Sequence, residues 1–138
     1  MVKDKFHQNV REALEKDGWN ITHDPYFLML GRRRGYIDLG AEKAIIGAEK
    51  AGHRIAVEIK SFVGKSELND FEDALGQFLV YVPALEDKEP ERELFLAVPL
   101  TFYNRFFDDP YFLRVAKRYA VQMVVFDEAA NIIMQWIK

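Results

Sequence analysis

The sequence predicts a single α/β domain. Two helical patterns, one near the amino terminus and one beginning at Ser66, are separated by short runs rich in β-branched and aromatic residues. The predicted order of elements is α-β-β-β-α-β-α-β-β, and no segment of the sequence is typical of a linker between domains. A chain of 138 residues can bury roughly two thirds of its unfolded surface around one core. Residues 1–138 are therefore predicted to form one domain.

The first helix is predicted over residues 4–17, where apolar residues recur every three or four positions and Asp17-Gly18 ends the pattern. The apolar stripe consists of Phe6, Val10, Ala13 and Leu14. His7 lies at the edge of that stripe, so it is a candidate neighbour of a site; the alternative is a residue at the margin of the core. Trp19 begins a strand, which His23 and Asp24 are expected to close.

Three further strands are predicted at residues 26–30, 36–46 and 53–60. Between the first two strands lie Arg32, Arg33 and Arg34, bracketed by Gly31 and Gly35. This pattern predicts a tight turn that presents three guanidinium groups near the strand carrying Asp38. The turn is a candidate DNA contact, and the alternative is a solvated hairpin tip.

A long amphipathic helix is predicted from Ser66, which is its expected N-cap. Its apolar residues alternate by three and four: Leu68, Phe71, Leu75, Phe78, Val82 and Leu85. Gln77 and Tyr81 lie one turn apart on this helix. A charged linker, residues 86–92, follows it.

The carboxy-terminal third is predicted to contribute strands at residues 94–98, 121–126 and 131–137. Helical turns between the first two of these strands hold an aromatic cluster: Phe102, Tyr103, Phe106, Phe107, Tyr111 and Phe112. The cluster is larger than one small core usually buries, so part of it is predicted to form an interface, most simply that of a two-fold homodimer. The alternative is ordinary packing within the monomer.

The most informative pattern combines an acid, Asp38, with a Glu-x-Lys sequence formed by Glu58 and Lys60. Alternate residues of a strand share a face, so Glu58 and Lys60 project on the same side about 7 Å apart. If the two strands form a hairpin, Asp38 faces Glu58 when the chain reverses near residue 48, inside the stretch from Gly47 to Gly52. The two carboxylates are therefore expected to converge.

Converging carboxylates repel each other unless a cation lies between them, and oxygen-only ligands suit Mg²⁺. Asp38 and Glu58 are therefore the predicted metal ligands, for Mg²⁺ or Mn²⁺. Lys60 is predicted to position or deprotonate a water, or to stabilise negative charge on a phosphate. The alternative is a set of solvated charges on the wet face of a sheet.

The formal net charge is −3 and the isoelectric point is near 5.6, so the chain as a whole does not attract a polyanion. DNA binding would need a local basic patch. The absence of cysteine excludes disulfides and thiolate metal sites, and the three histidines have no spacing typical of a zinc site. The sequence holds no apolar run of membrane-spanning length and no signal-peptide pattern, so we expect a cytoplasmic protein without a membrane segment.

Nearly the whole chain is similar to the fdxN element excision controlling factor family of XisH type. The stretches that carry this resemblance are Phe6-His7 through Asp17-Gly18-Trp19, Ile21-Thr22-His23-Asp24-Pro25, Ile37-Asp38-Leu39-Gly40-Ala41-Glu42-Lys43, Ile55-Ala56-Val57-Glu58-Ile59-Lys60-Ser61-Phe62, Ala74-Leu75-Gly76-Gln77-Phe78-Leu79 and Met134-Gln135-Trp136-Ile137. The family resemblance implies a role in controlling the site-specific excision of a DNA element, alongside a recombinase and an XisI-type partner protein.

The acid and Glu-x-Lys pattern also resembles the PD-(D/E)XK nuclease superfamily, with Ile37 where many members have proline. The Gln77-x-x-x-Tyr81 spacing resembles a pattern that lies beside the active site of RecB-like nucleases. The superfamily resemblance implies a restriction-endonuclease-like fold, which has a mixed central sheet flanked by helices, and divalent-metal phosphodiester chemistry.

Two functions remain open at this point. In the first, the protein is a Mg²⁺-dependent nuclease in which Asp38 and Glu58 hold the metal, assisted by the Ile59 carbonyl. Lys60 then assists the attacking water and Gln77 orients a phosphate or water. In the second, the protein is a non-cutting accessory factor that binds DNA or a partner protein and steers recombination.

Overall fold

A six-stranded mixed sheet forms the centre of the molecule, with helices on both of its faces. The computed structural model describes residues 3–44 and 52–138. In chain order the elements are α1 (His7–Lys16), β1 (Asn20–His23), β2 (Tyr26–Leu30), β3 (Arg33–Ile37), β4 (Leu39–Lys43), β5 (His53–Ile59), α2 (Glu67–Lys88), β6 (Glu93–Pro99), α3 (Leu100–Phe106), α4 (Pro110–Arg118), β7 (Met123–Asp127) and β8 (Ile132–Ile137). No helix in these two ranges is long and apolar enough to cross a membrane.

The sheet has the strand order β1-β4-β5-β6-β7-β8. The central strands β5, β6 and β7 are parallel to one another. At one edge β4 pairs antiparallel with both β5 and β1, and at the other edge β8 pairs antiparallel with β7. Parallel neighbours need crossover connections, and here the crossovers contain α2 and the pair α3–α4. Strands β2 and β3 form a separate hairpin.

Each face of the sheet covers its own apolar core. On one face, the stripe of α1 packs against residues of β4, β5, β6 and β7, and the aromatic pair Trp19 and Trp136 closes the margin with ring centroids 5.6 Å apart. On the other face, α2, α3, α4 and the β2–β3 hairpin pack together. Strand β5 contributes to both cores, because Val57 faces the first and Ala56 the second.

The predicted register between β4 and β5 is confirmed. Leu39 pairs with Val57 and Lys43 with His53, so the antiparallel pairing is centred on residue 48. The reversal itself, residues 45–51, lies outside the described residues. In this register Leu39 lies opposite Val57 and Ala41 opposite Ile55, and all four side chains belong to the core that α1 covers.

The single strand predicted over residues 36–46 is wrong. The chain bends at Asp38, so β3 belongs to the separate hairpin and β4 to the central sheet. The predicted turn is also shorter than expected: only Gly31 and Arg32 form it, and Arg33 and Arg34 lie in β3. Gly31 has φ +63°, the positive value that a two-residue hairpin turn requires at its first position.

The helices also differ from the prediction at their ends. Helix α1 begins at His7, because the Asp4 carboxylate accepts the Phe6 N–H before the first turn. The Ser66 N-cap of α2 is confirmed, since its hydroxyl accepts the Asn69 N–H at 3.1 Å. Helix α2 continues to Lys88, so the first part of the predicted linker at 86–92 is helical. The predicted element order has three strands before the long helix, whereas the structure has five. It has one helix between β6 and β7, where the structure has α3 and α4.

Most of the aromatic cluster packs inside the monomer. Phe102 and Phe107 are buried, and Phe102 stacks on Phe62 with centroids 3.8 Å apart. Tyr103, Phe106 and Phe112 pack against the same core, and only Tyr111 of the cluster is more than half exposed. The packing alternative therefore describes most of these rings, and the homodimer stays a prediction.

Candidate functional site

Asp38 and Glu58 lie together at one end of the central sheet. Asp38 occupies the bend between β3 and β4, and Glu58 is the second-to-last residue of β5. Extending the register from Leu39 opposite Val57 by one residue places Asp38 opposite Glu58. Each of the two acids is only 7 % exposed. The Ile59 N–H donates to Asp38 Oδ2 at 2.7 Å, which holds the Asp38 carboxylate against the end of β5.

The environment of Glu58 strongly favours its neutral form. Burial, and then the adjacent Asp38 carboxyl and the charge of Asp4, raise the pKa of Glu58 to about 10. Its Oε2 atom is buried and accepts no hydrogen bond from any residue in the described ranges. A buried carboxylate oxygen without a partner is costly. Binding of a proton by Glu58, or of a cation beside it, therefore stabilises this pair.

A divalent cation fits this donor set. Mg²⁺ prefers oxygen ligands and binds through one or two carboxylates while it keeps several waters. Asp38 and Glu58 supply two buried carboxyl groups, and one oxygen of Glu58 has no hydrogen-bond partner in the described residues. Within residues 3–44 and 52–138 no group of three or more acidic, histidine or cysteine side chains is arranged so that it could hold a metal ion. The remaining positions would therefore fall to the Ile59 carbonyl, water or substrate oxygens.

Lys60 follows directly after β5 and is half-buried. Its backbone N–H donates to the Ala97 carbonyl at 3.3 Å, which extends the pairing with β6 past the end of β5. Two residues along an extended chain place the Lys60 side chain about 7 Å from that of Glu58. Its ammonium group forms no salt bridge with any residue that the structure describes.

Asp4 is a residue of this region that the sequence patterns did not single out. Its Oδ1 atom accepts the Phe6 N–H at 2.9 Å, and its Oδ2 atom accepts the Ser61 N–H at 3.0 Å. It therefore links the start of α1 to the residue after Lys60, and its charge also raises the pKa of Glu58. An acid just before an amphipathic helix suggests a cap, but the contact with Ser61 spans 57 positions and leaves no local pattern.

His7 faces Asp24 within a buried polar cluster. Its Nε2 atom lies 2.7 Å from Asp24 Oδ1, while Arg11 Nη1 donates to Asp24 Oδ2 at 2.6 Å. Burial by itself would raise the pKa of Asp24, but Arg11, His7 and Lys3 outweigh it and hold that pKa below its ordinary value. The sequence predicts only that Asp24 closes a strand, whereas the structure makes it the common partner of His7, Arg11 and Lys3.

Gln77 and Tyr81 lie on α2 with different surroundings. Gln77 is exposed, and no hydrogen bond joins it to the acidic pair within the described part of the chain. Tyr81 is half-buried and packs against the core beneath α2. Within the described residues, the structure shows no hydrogen bond from either residue to Asp38 or Glu58.

The three arginines lie at the far end of the β2–β3 hairpin from Asp38. Arg32, Arg33 and Arg34 are all exposed. Four positions of extended chain separate Arg34 from Asp38, a span of about 13 Å. The arginines can therefore contact a ligand that is long enough to reach the acidic pair, but they do not line that pair.

The comparisons with known proteins agree with the resemblance to the XisH family. The sequence model of one protein family, described as XisH protein, matches residues 1–134. A solved XisH family protein from Nostoc punctiforme PCC 73102 is 42 % identical, with a TM-score of 0.88 over 98 % of this chain and 100 % of that one. A solved fdxN element excision controlling factor protein from Anabaena variabilis is 41 % identical, with a TM-score of 0.86 over 99 % of this chain and 100 % of that one. No curated protein matches the chain significantly.

Proposed function

Because this chain belongs to the XisH family, we propose that it controls the excision of a DNA element by means of a nuclease-like acidic site at the end of β5. The role in excision is suggested by the name of the relative from Anabaena variabilis, which covers nearly the whole chain. The acidic site belongs to the proposal because a restriction-endonuclease-like arrangement of the PD-(D/E)XK type would place its acids where Asp38 and Glu58 lie. DNA is the proposed ligand.

One observation carries the proposed chemistry: two carboxylates are buried side by side, and one oxygen of Glu58 lacks a partner in the described residues. A bound Mg²⁺ or Mn²⁺ would supply Lewis-acid stabilisation of a phosphodiester. Asp38, held by the Ile59 N–H, and Glu58 would bind that ion. Lys60, on the same side of the strand as Glu58, would orient a water or stabilise the negative charge that develops on the phosphate.

A second candidate function keeps the site but not the cleavage. The net charge of −3 gives no general attraction to DNA, and the exposed Gln77 forms no hydrogen bond with the acidic pair in the described residues. A non-cutting accessory factor would use the same fold to bind DNA or a partner protein. In either case the XisI-type protein and the site-specific recombinase are the proposed partners.

Metal binding is the first experiment. Titration calorimetry and thermal melts with Mg²⁺ and Mn²⁺ should show binding by the wild type and stabilisation of about 2.7 kcal/mol at a hundredfold excess over the dissociation constant. Asp38→Asn and Glu58→Gln should remove both responses. Asp87→Asn, an exposed acid on α2, should leave them unchanged. A wild type that binds neither ion contradicts the proposed metal site.

Cleavage is tested separately, on supercoiled, single-stranded and branched DNA with and without Mg²⁺. Lys60→Met should retain metal binding, because an ammonium group is no metal ligand, and should lose any cleavage that the wild type shows. Lys65→Met, an exposed lysine in the following loop, is the matched control. Metal binding without cleavage of any substrate selects the accessory function.

A further inference from the structure

The outer face of the β2–β3 hairpin carries an aromatic and cationic surface. In this hairpin Phe27 pairs with Tyr36 and Met29 with Arg34. Because paired residues of an antiparallel ladder share a face, these four side chains project together, away from the buried Tyr26 and Leu28. We call Phe27, Met29, Arg34 and Tyr36 the hairpin surface.

The hairpin surface is unusually apolar for an exposed sheet face. Phe27 is 47 % exposed and Met29 is 54 % exposed, although both lie in a strand whose other face is buried. The Phe27 ring lies 4.6 Å from the Tyr36 ring, and the Arg34 guanidinium lies 6.0 Å from the Phe27 centroid. Together with the C-terminal turns of α2, the surface borders a groove of about 630 Å³.

The charges around this surface are cationic, in a chain whose net charge is negative. Arg32 lies in the turn at the tip of the hairpin, whereas Arg33 pairs with Leu30 and projects from the opposite face. None of the three arginines forms a salt bridge with a residue in the described ranges. Lys88, whose ammonium donates to the Phe27 carbonyl, and Asp87 line the α2 side of the groove. Arg34 therefore lies beside the exposed ring, and Lys88 and Asp87 lie across the groove from it.

We propose that the hairpin surface binds single-stranded DNA, with an unpaired base stacked on Phe27 and the adjoining phosphates paired with Arg34 and with Arg32 at the tip. Exposed aromatic rings beside cationic side chains are the pattern that single-strand binding surfaces use, because every base has a face to stack and every nucleotide has a phosphate. The proposal deepens the proposed function, since it names the form of DNA that the site would receive.

The position of Phe27 connects this surface to the acidic pair. Phe27 lies opposite Tyr36, which precedes Asp38 by two residues, or about 7 Å of extended chain. A strand that follows the hairpin from the arginines past Phe27 therefore runs toward Asp38. Charge also selects this occupant over a second copy of the chain, because a polyanion neutralises Arg32 and Arg34 whereas a copy would bring the same arginines against them.

The test measures DNA affinity by fluorescence anisotropy at low salt, in EDTA so that no metal contributes. The probes are a short single-stranded oligonucleotide and a duplex of the same sequence and length. Phe27→Ala should weaken single-strand binding roughly 5- to 150-fold, the range for loss of one stacked base, and should change duplex binding less. Phe27→Trp, which keeps a stacking face, should retain the affinity of the wild type.

Two further variants complete the design. Replacing all three arginines by serine should weaken binding and flatten its dependence on salt, because fewer counterions are released. Tyr111→Ala is the matched control, since Tyr111 is 52 % exposed and lies 5.2 Å from a guanidinium, that of Arg114. It should leave the affinity for both probes unchanged.

Three results would overturn the proposal: a wild type that binds the duplex at least as tightly as the single strand, a Phe27→Ala variant with unchanged single-strand affinity, or a Phe27→Ala variant that only alters self-association in sedimentation. The last would assign the surface to a protein contact. Failure of the acidic site is distinguishable, because it appears in the metal titrations of Asp38→Asn and Glu58→Gln and not in an assay without metal.

Discussion

At the scale of single residues, the chemistry of Glu58 depends on its neighbours more than on its own type. In water its carboxyl would be ionised at neutral pH. In the folded chain, burial and the neighbouring acids raise its pKa to about 10 from an ordinary 4.5. At neutral pH the folded protein therefore holds a proton at Glu58 that the unfolded chain has already released at about pH 4.5, and this difference makes stability depend on pH.

The first residue-scale prediction concerns that dependence. A raised pKa in the folded state stabilises the fold fully below about 4.5, and the contribution is lost as the pH rises from there towards 10. Without divalent cations, the free energy of unfolding of the wild type should fall with rising pH relative to Glu58→Gln, by up to about 1.4 kcal/mol per pH unit. Urea denaturation in EDTA at several pH values measures this. Parallel profiles for the two proteins would contradict it, and exposed Glu86→Gln is the control.

A second residue-scale prediction concerns Asp4, which we regard as a positioning residue. Asp4→Ala removes the acceptor for the Ser61 N–H and should destabilise the fold by about 1–3 kcal/mol. It should also lower the pKa of Glu58, because one neighbouring negative charge is gone. Asp4→Asn retains an acceptor oxygen and should recover part of the stability without restoring the pH profile. Exposed Asp73→Ala should change neither quantity.

At the scale of elements, the turn of the β2–β3 hairpin depends on the backbone conformation of Gly31. Gly31 has φ +63°, and a Cβ added there would meet no atom within 4 Å. Any cost of a side chain at this position therefore comes from the backbone conformation and not from crowding. Gly76, in the middle of α2, has the same open surroundings without a positive φ.

The element-scale prediction compares these two glycines. Gly31→Ala should destabilise the protein by about 1–2 kcal/mol, because an L-residue pays for the left-handed conformation. Gly76→Ala should instead stabilise it by roughly 0.5–1 kcal/mol, since alanine favours a helix interior. Chemical denaturation of both variants beside the wild type measures the difference. Effects of the same sign at the two positions would show that the backbone argument is wrong.

At the scale of the whole molecule, the homodimer remains a prediction, but the aromatic cluster supports it less because most of the rings pack within the monomer. The rings at residues 102–112 were expected to need cover, yet Phe102 and Phe107 are buried within the monomer. Only Tyr111 of that group is more than half exposed. An interface, if it forms, must therefore use other parts of the surface.

The whole-molecule prediction follows from that packing. Tyr111→Ala should have the same sedimentation coefficient as the wild type at matched, high micromolar concentrations, whatever association state the wild type adopts. Analytical ultracentrifugation measures this directly. If the wild type self-associates and the variant does not, Tyr111 and the rings around it form part of the interface, and the prediction is wrong.

The sequence by itself determined the α/β class, the family, the long helix from Ser66 and the register that brings Asp38 opposite Glu58. The class and the long helix follow from local periodicity, and the register follows from the alternation of strand residues and the position of the turn glycines. The family follows instead from the stretches of sequence that resemble it. The tertiary structure decided what periodicity cannot encode. The bend at Asp38 sends one apolar run into two sheets, and the contacts of Asp4 with Ser61 and of His7 with Asp24 join positions far apart in the chain. Such contacts form only when separate elements pack against each other, so no local sequence pattern predicts them.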